Sequence, residues 1–160
     1  MTEAKPGMID LNEIEILQVA VAHEERARRF YEHLAARHAG DPAGDLFGFL
    51  AGEEEGHIRK LSARYGIPTF EAGWEERYLP YLIDLEKLAR EEGVAAEAAT
   101  GVDAVRRGLA IAMKAESHAI DFYHRAAGVV GDESRSGLLS ELEGEERIHL
   151  AKVEGYLKGL

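Results

Sequence analysis

Leu17–Leu61 aligns without a gap on Leu109–Val153, 92 positions later, and fourteen of the 45 pairs are identical. Average residue usage would give about three identities by chance, so the chain carries two copies of one unit. That constrains the fold strongly, because each copy must hide the same apolar face and the nearest matching face belongs to the other copy. Similar cores alone would repeat Leu and Ala, as in Leu17/Leu109, Ala20/Ala112, Leu46/Leu138 and Leu50/Leu142. Here Glu24/Glu116, Tyr31/Tyr123, Glu53/Glu145, Glu54/Glu146, His57/His149 and Lys60/Lys152 repeat as well.

Each copy reads as two helices. The first is expected to start near Asp10, where Asp10-Leu11-Asn12-Glu13 resembles a capping box, and to end at Ala39 and Gly40. Leu17, Ala20, Val21, Ala27, Tyr31 and Leu34 recur in it with a helical period. Asp41-Pro42 opens the second helix, since Asp suits the cap and Pro the first turn. Its stripe is Leu46, Leu50, Ile58 and Leu61, and it is expected to end near Gly66, with Pro68 beyond. The third helix should run from about Asp103 to Val130 and the fourth from about Ser134 to Leu157, with Gly131 and Asp132 turning between them.

Short turns within each copy predict antiparallel hairpins. The expected fold is all-α: one domain over 1–160, an antiparallel four-helix bundle with hairpins at about 10–66 and 103–158 and a crossover over 67–102. The crossover contains an apolar-rich stretch, read as a short helix around Leu79–Arg90. It would make the second and third helices parallel; the alternative is a lid or dimer contact. A bundle-length connection spans about 30 Å, which this segment can reach.

Composition narrows the function. With 30 acidic and 19 basic residues the formal charge is -11, a surface that repels nucleic acid and anionic lipid headgroups. No apolar run approaches the roughly 18 residues of a membrane span. Residues 1–10 lack the basic start and apolar stretch of a secretion signal, so the expected location is cytoplasmic. Cysteine is absent. Thiolate zinc sites and cysteine-ligated iron sites are thereby excluded, leaving nitrogen and oxygen donors for any metal.

The informative feature is where certain ionisable residues fall. Glu24 lies on the apolar stripe of the first helix and Glu116 on that of the third. Glu54 and His57 lie between Leu50 and Leu61, and Glu146 and His149 between Leu142 and Val153. An unpaired carboxylate in an apolar core is very costly, and four together raise one another's pKa. Two divalent cations would remove both penalties. Residues three apart share a helix face, so each Glu-x-x-His can present an oxygen and a nitrogen to one ion. A lone Glu-x-x-His is weak evidence, but here two such pairs each follow a core-face Glu by 30 residues.

Glu53 and Glu145 also repeat; the three-residue spacing favours Glu54 and Glu146 as ligands and leaves the other two facing solvent or a neighbouring helix. Tyr31 and Tyr123, seven residues after Glu24 and Glu116, either hydrogen-bond a ligand carboxylate or serve as core aromatics. His23, His33, His38, His118 and His124 have no counterpart at the repeat offset and are expected to be exposed. Met113 is expected to fill the core rather than bind haem.

Glu24-x-x-Ala27-x-x-Phe30-Tyr31 followed by Glu54-x-x-His57, with the pair repeated, resembles the rubrerythrin-like branch of the ferritin-like superfamily over nearly the whole chain. The general scheme of di-iron carboxylate bundles is the same. The resemblance implies a di-iron site in which Glu54 and Glu146 bridge, Glu24 and Glu116 are terminal ligands, and His57 and His149 each bind one iron. Three departures stand out. The cysteines of a rubredoxin-type electron donor are missing. The second Glu of the family's third helix is Ala119, so the spare ligand for redox-linked iron movement is absent. The bacterioferritin haem methionine is replaced by Glu55.

The expected function is reduction of hydrogen peroxide or dioxygen at two iron ions, with electrons from an external donor, by a homodimer. The alternatives are iron oxidation for storage and a non-enzymatic metal-binding or sensor bundle. Zinc or manganese also suits such ligands.

Overall fold

A computed structural model of the chain describes residues 11–65, 73–94 and 99–160. Helix α1 spans Glu13–Arg37 and α2 spans Pro42–Tyr65. A 3-10 segment at Trp74–Tyr81 and the short α3, Leu85–Glu91, follow; α4 spans Gly101–Val129 and α5 spans Glu133–Lys158. All regular structure among the described residues is helical.

The start of α1 differs from the expected one by two residues. Asn12, not Asp10, is the cap: its side chain accepts from the Glu15 amide at 2.8 Å, and the Glu15 carboxylate accepts from the Asn12 amide at 3.1 Å. Asp10 lies outside the described residues. Both registers offer the same box, and apolar packing decides between them. With Asn12 as cap, Leu11 and Ile16 flank the first turn and join one apolar cluster, the arrangement of a hydrophobic staple. A cap at Asp10 would give that role to Ile14, which is exposed.

The α1–α2 turn follows the expected chemistry. Gly40 has φ +85°, and the Asp41 carboxylate accepts from the Ala43 amide at 2.8 Å just after Pro42 enters the helix. Gly44 lies so close to the end of α1 that a Cβ there would sit 2.1 Å from the His38 carbonyl oxygen.

The helices pair in antiparallel fashion on more than the two hairpin interfaces. Glu24 meets Tyr123 and Tyr31 meets Glu116, so α1 and α4 run in opposite directions. Glu53 meets His149 and Lys60 meets Glu141, so α2 and α5 do too. The apolar core forms two clusters. One joins Ile16, Leu17 and Val21 of α1 to Phe122, Leu138, Leu139 and Leu142. The other joins Leu34, Phe47 and Leu50 to Val105, Leu109, Ile111 and Val153. Met113 packs on the second, as expected of core filler.

The expected helix at Leu79–Arg90 is instead two pieces. The 3-10 segment carries Pro80 inside it and ends at Tyr81, Leu82 is extended, and the Asp84 carboxylate accepts from the Lys87 amide at 3.0 Å to start α3 afresh. Tyr78, Leu82, Leu85 and Ala89 are buried against the bundle. The expected end of α2 at Gly66 and Pro68, and part of the crossover, fall on residues 66–72 and 95–98, outside the described residues. No described helix is long and apolar enough to cross a membrane.

Candidate metal centre

Between the two apolar clusters lies a polar layer. Glu24, Glu54, His57, Glu116, Glu146 and His149 are each at most 2% exposed, although charged residues are rarely buried unless paired. Helical periodicity puts them there: each occupies a core-face position of α1, α2, α4 or α5, where a Leu or Ala would otherwise sit.

Their donor atoms converge in two groups of four, with His57, Glu146 and His149 also close to one another. Glu24, Glu54, His57 and Glu146 bring one atom each within 4.8 Å of one another, and so do Glu54, Glu116, Glu146 and His149. The groups share Glu54 and Glu146. The His57 Nδ1 lies 2.7 Å from a Glu146 oxygen, 3.3 Å from Glu24 and 3.5 Å from Glu54. The His149 Nδ1 is looser, 3.6 Å from Glu54, 3.8 Å from Glu146 and 3.9 Å from Glu116. The two imidazoles stack, 5.5 Å between centroids and 14° from parallel.

Tyrosines hold the outer carboxylates, and they do so crosswise. The Tyr31 hydroxyl donates to Glu116 at 2.6 Å, and the Tyr123 hydroxyl donates to Glu24 at 2.5 Å. Of the two readings open for these tyrosines, the hydrogen-bonding one describes them, and each serves the opposite copy of the repeat. Glu53 and Glu145 face the neighbouring helix, as one of their expected placements had it. Glu53 sits 3.4 Å from the His149 Nε2. Glu145 lies 2.7 Å from the His57 Nε2 as a charge partner, without hydrogen-bond alignment. Acids behind both imidazoles favour rings whose Nδ1 points inward. Sequence reasoning missed this role; the repeated Glu53/Glu145 pair was its signal.

Electrostatics shows how much strain six such groups carry. Burial pushes the Glu146 carboxyl well above the usual range, and the charges of Glu54 and Glu116 push it further. Burial likewise raises Glu116. Burial would raise Glu54 too, but His149 and His57 outweigh it and leave Glu54 below its ordinary value. Burial disfavours the His57 cation, yet Glu146 and Glu54 prevail and raise it to about 10. Protons thus stand where cations would otherwise neutralise the layer.

Several of these atoms have no hydrogen-bond partner: both oxygens of Glu54, Oε1 of Glu146, Oε2 of Glu116 and Nδ1 of His149. Buried unpaired groups of this kind are rare and costly. Cations between them would satisfy every one, and an all-oxygen-and-nitrogen donor set fits iron, manganese or zinc. The residues therefore fit a two-metal site.

The remaining histidines divide. His33 and His124 are exposed, and His118 is half-buried with its Nε2 3.0 Å from the Tyr81 carbonyl oxygen. His23 and His38, expected to be exposed, are buried. His23 packs its ring 5.5 Å from that of His118 in the seam of α1 and α4, and burial lowers its pKa to about 4, so it is neutral. His38 ends α1 and lies against the Phe47 ring. Ala119 is fully buried and brings no carboxylate.

The flanks of the layer are not equivalent. Lys60 bonds Glu145 and Glu141 on one side. On the other, Lys152 lies over the ring of Phe49, which stands where the repeat has Glu141.

Comparison with curated proteins and with solved structures finds no match. The family model described as Rubrerythrin matches residues 15–157, which take in all four long helices and every residue of the polar layer. The chain belongs to the rubrerythrin family.

Proposed function

We propose that the chain holds two iron ions and reduces hydrogen peroxide or dioxygen with electrons from an external donor. The observation that supports this most is the sharing of Glu54 and Glu146 by two four-residue groups. In this reading Glu54 and Glu146 join the two positions, Glu24 and His57 complete one, and Glu116 and His149 complete the other. When bound, the ions would supply reversible one-electron steps.

The chain's own residues do the rest. Tyr31 and Tyr123 fix the terminal carboxylates Glu116 and Glu24. Their phenolic protons stay on Oη, because burial raises both pKa values well above the ordinary one. Leu17, Leu34, Phe47, Leu109, Leu139 and Leu142, all at most 2% exposed, keep bulk water from the layer above and below. Ala119 brings no spare carboxylate, so the six side chains form a fixed set. In the same reading the protein is a cytoplasmic homodimer whose 67–102 connection runs the length of the bundle.

Elemental analysis of freshly purified protein, then rapid mixing of the reduced protein with each oxidant, tests the proposal. Iron should be present, and peroxide should oxidise it faster than dioxygen does. Oxidation no faster than that of free ferrous iron would remove the reading, and zinc as the resident metal would leave a structural ion instead. A large cage on size-exclusion chromatography would favour iron storage.

A further inference from the structure

A cavity outside the metal layer has a chemistry of its own. It measures about 340 Å³ and lies between α1 and α3, within the usual size of small-molecule sites. Arg26, Arg29 and His33 of α1 and Arg90 of α3 surround it, over a floor that includes Phe30 and Leu85. One acid, Glu86, shares the rim.

Two facts make this collection unusual. The chain has a formal charge of -11, so a basic cluster runs against the average of its surface. Like charges three residues apart on one helix also repel, and Arg26 and Arg29 have that spacing, with His33 one turn on. The repeat shows the stripe in another form. Its counterparts are His118, Asp121 and Arg125; Asp121 pairs with Arg125 at 3.3 Å and His118 is covered by the Tyr81 carbonyl. In the first copy Arg29 stands where the repeat has Asp121. The second copy carries an acid at the middle of these three positions; the first carries basic side chains at all three, beside a cavity with an apolar floor.

We infer that this cavity binds a small organic anion with a flat apolar body: its acid group meets Arg29 and Arg90, and its ring lies on Phe30 and Leu85. Guanidinium groups suit carboxylate, sulfonate or phosphate oxygens and also stack on aromatic planes. The inference stands without the proposed redox activity and needs no metal.

The test uses the full chain and the probe 8-anilinonaphthalene-1-sulfonate, with uncharged N-phenyl-1-naphthylamine as control. Calorimetry should show one site, weakened severalfold between low and high salt and not shared by the uncharged probe. Arg29→Glu with Arg90→Glu should weaken binding at least tenfold. Arg147→Glu with Lys158→Glu, the same charge change on α5, should leave it unaltered. Both substituted pairs are exposed, and circular dichroism would verify their fold. Amide shifts on the unsubstituted protein give an independent reading and should cluster in 26–33 and 85–90. Shifts centred elsewhere, equal binding of the uncharged probe, or equal affinity in the two double variants would overturn the inference.

Discussion

The hydroxyl of Tyr123 donates to a carboxylate oxygen of Glu24 at 2.5 Å, across 99 positions of sequence, and both groups are buried. Tyr31 returns the same bond to Glu116. Removing either hydroxyl leaves a buried carboxylate oxygen short of a donor, at a cost of about 1–3 kcal/mol. Tyr123→Phe and Tyr31→Phe should each lower the melting temperature by about 2–4 °C per kcal/mol lost. Each should also weaken metal retention by roughly ten- to a hundredfold, the usual effect of losing such a supporting bond. Competition with a graded chelator measures the second effect; unchanged retention in both variants would show that the tyrosines only fill space.

The shared residues should behave differently from the unshared ones. Glu54→Ala and Glu146→Ala remove a donor from both groups, and Glu24→Ala from one. Metal content after desalting should fall close to zero in the first two variants and by about half in the third, since the second group keeps its four donors. Equal losses in all three would contradict the shared role of Glu54 and Glu146.

Metal-free protein should lose stability as the pH rises. The folded-state pKa of His57, about 10, exceeds its unfolded value of 6.5. Its stabilising contribution is therefore fully present below pH 6.5 and is lost as the pH climbs through 10. Glu146 and Glu116, raised by burial, act in the same direction from their unfolded value of 4.5 upward. Glu54 opposes them only at the acid end, because a lowered pKa gives stability that is lost as pH falls. Melting temperatures in chelator should accordingly decline between pH 6.5 and 10, and metal-loaded protein should not follow. A flat or rising chelated series would argue against this charge arrangement.

Gly44→Ala probes the scaffold away from the site. The added Cβ would lie 2.1 Å from the His38 carbonyl oxygen, and backbone cannot swing aside as a side chain can. The α1–α2 hairpin must open, costing about 3 kcal/mol. Gly52→Ala, where a Cβ meets nothing within 4 Å, should be neutral or stabilising, because alanine is the better helix former. Thermal melts of the two variants compare them directly.

How much of this was legible beforehand depended on the kind of signal. Glu24, Glu54, His57, Glu116, Glu146 and His149 were readable because helical period and the repeat offset locate a residue on a face without knowledge of its neighbours. The face of Tyr31 and Tyr123 was readable in the same way, but not their crossed partners, which depend on α1 and α4 running in opposite directions. The cap of α1 was misplaced because Asp10…Glu13 and Asn12…Glu15 satisfy one pattern, and only the packing of Leu11 with Ile16 separates them. His23 and His38 were misread for a related reason. What covers them is His118 on another helix and Phe47 beyond a turn, and periodicity within one helix does not report that. The break before α3 had its signal in Asp84, a helix-starting side chain in the middle of the apolar run.

Phe49 standing opposite Lys152, where the repeat has Glu141 opposite Lys60, carries one more consequence. Two identical hairpins paired about a twofold axis would be bound to wear the same residue on both flanks. Linked in a single polypeptide, the flanks can be edited one at a time, so a near-symmetric interior can have a charged doorstep on one side and a greasy one on the other.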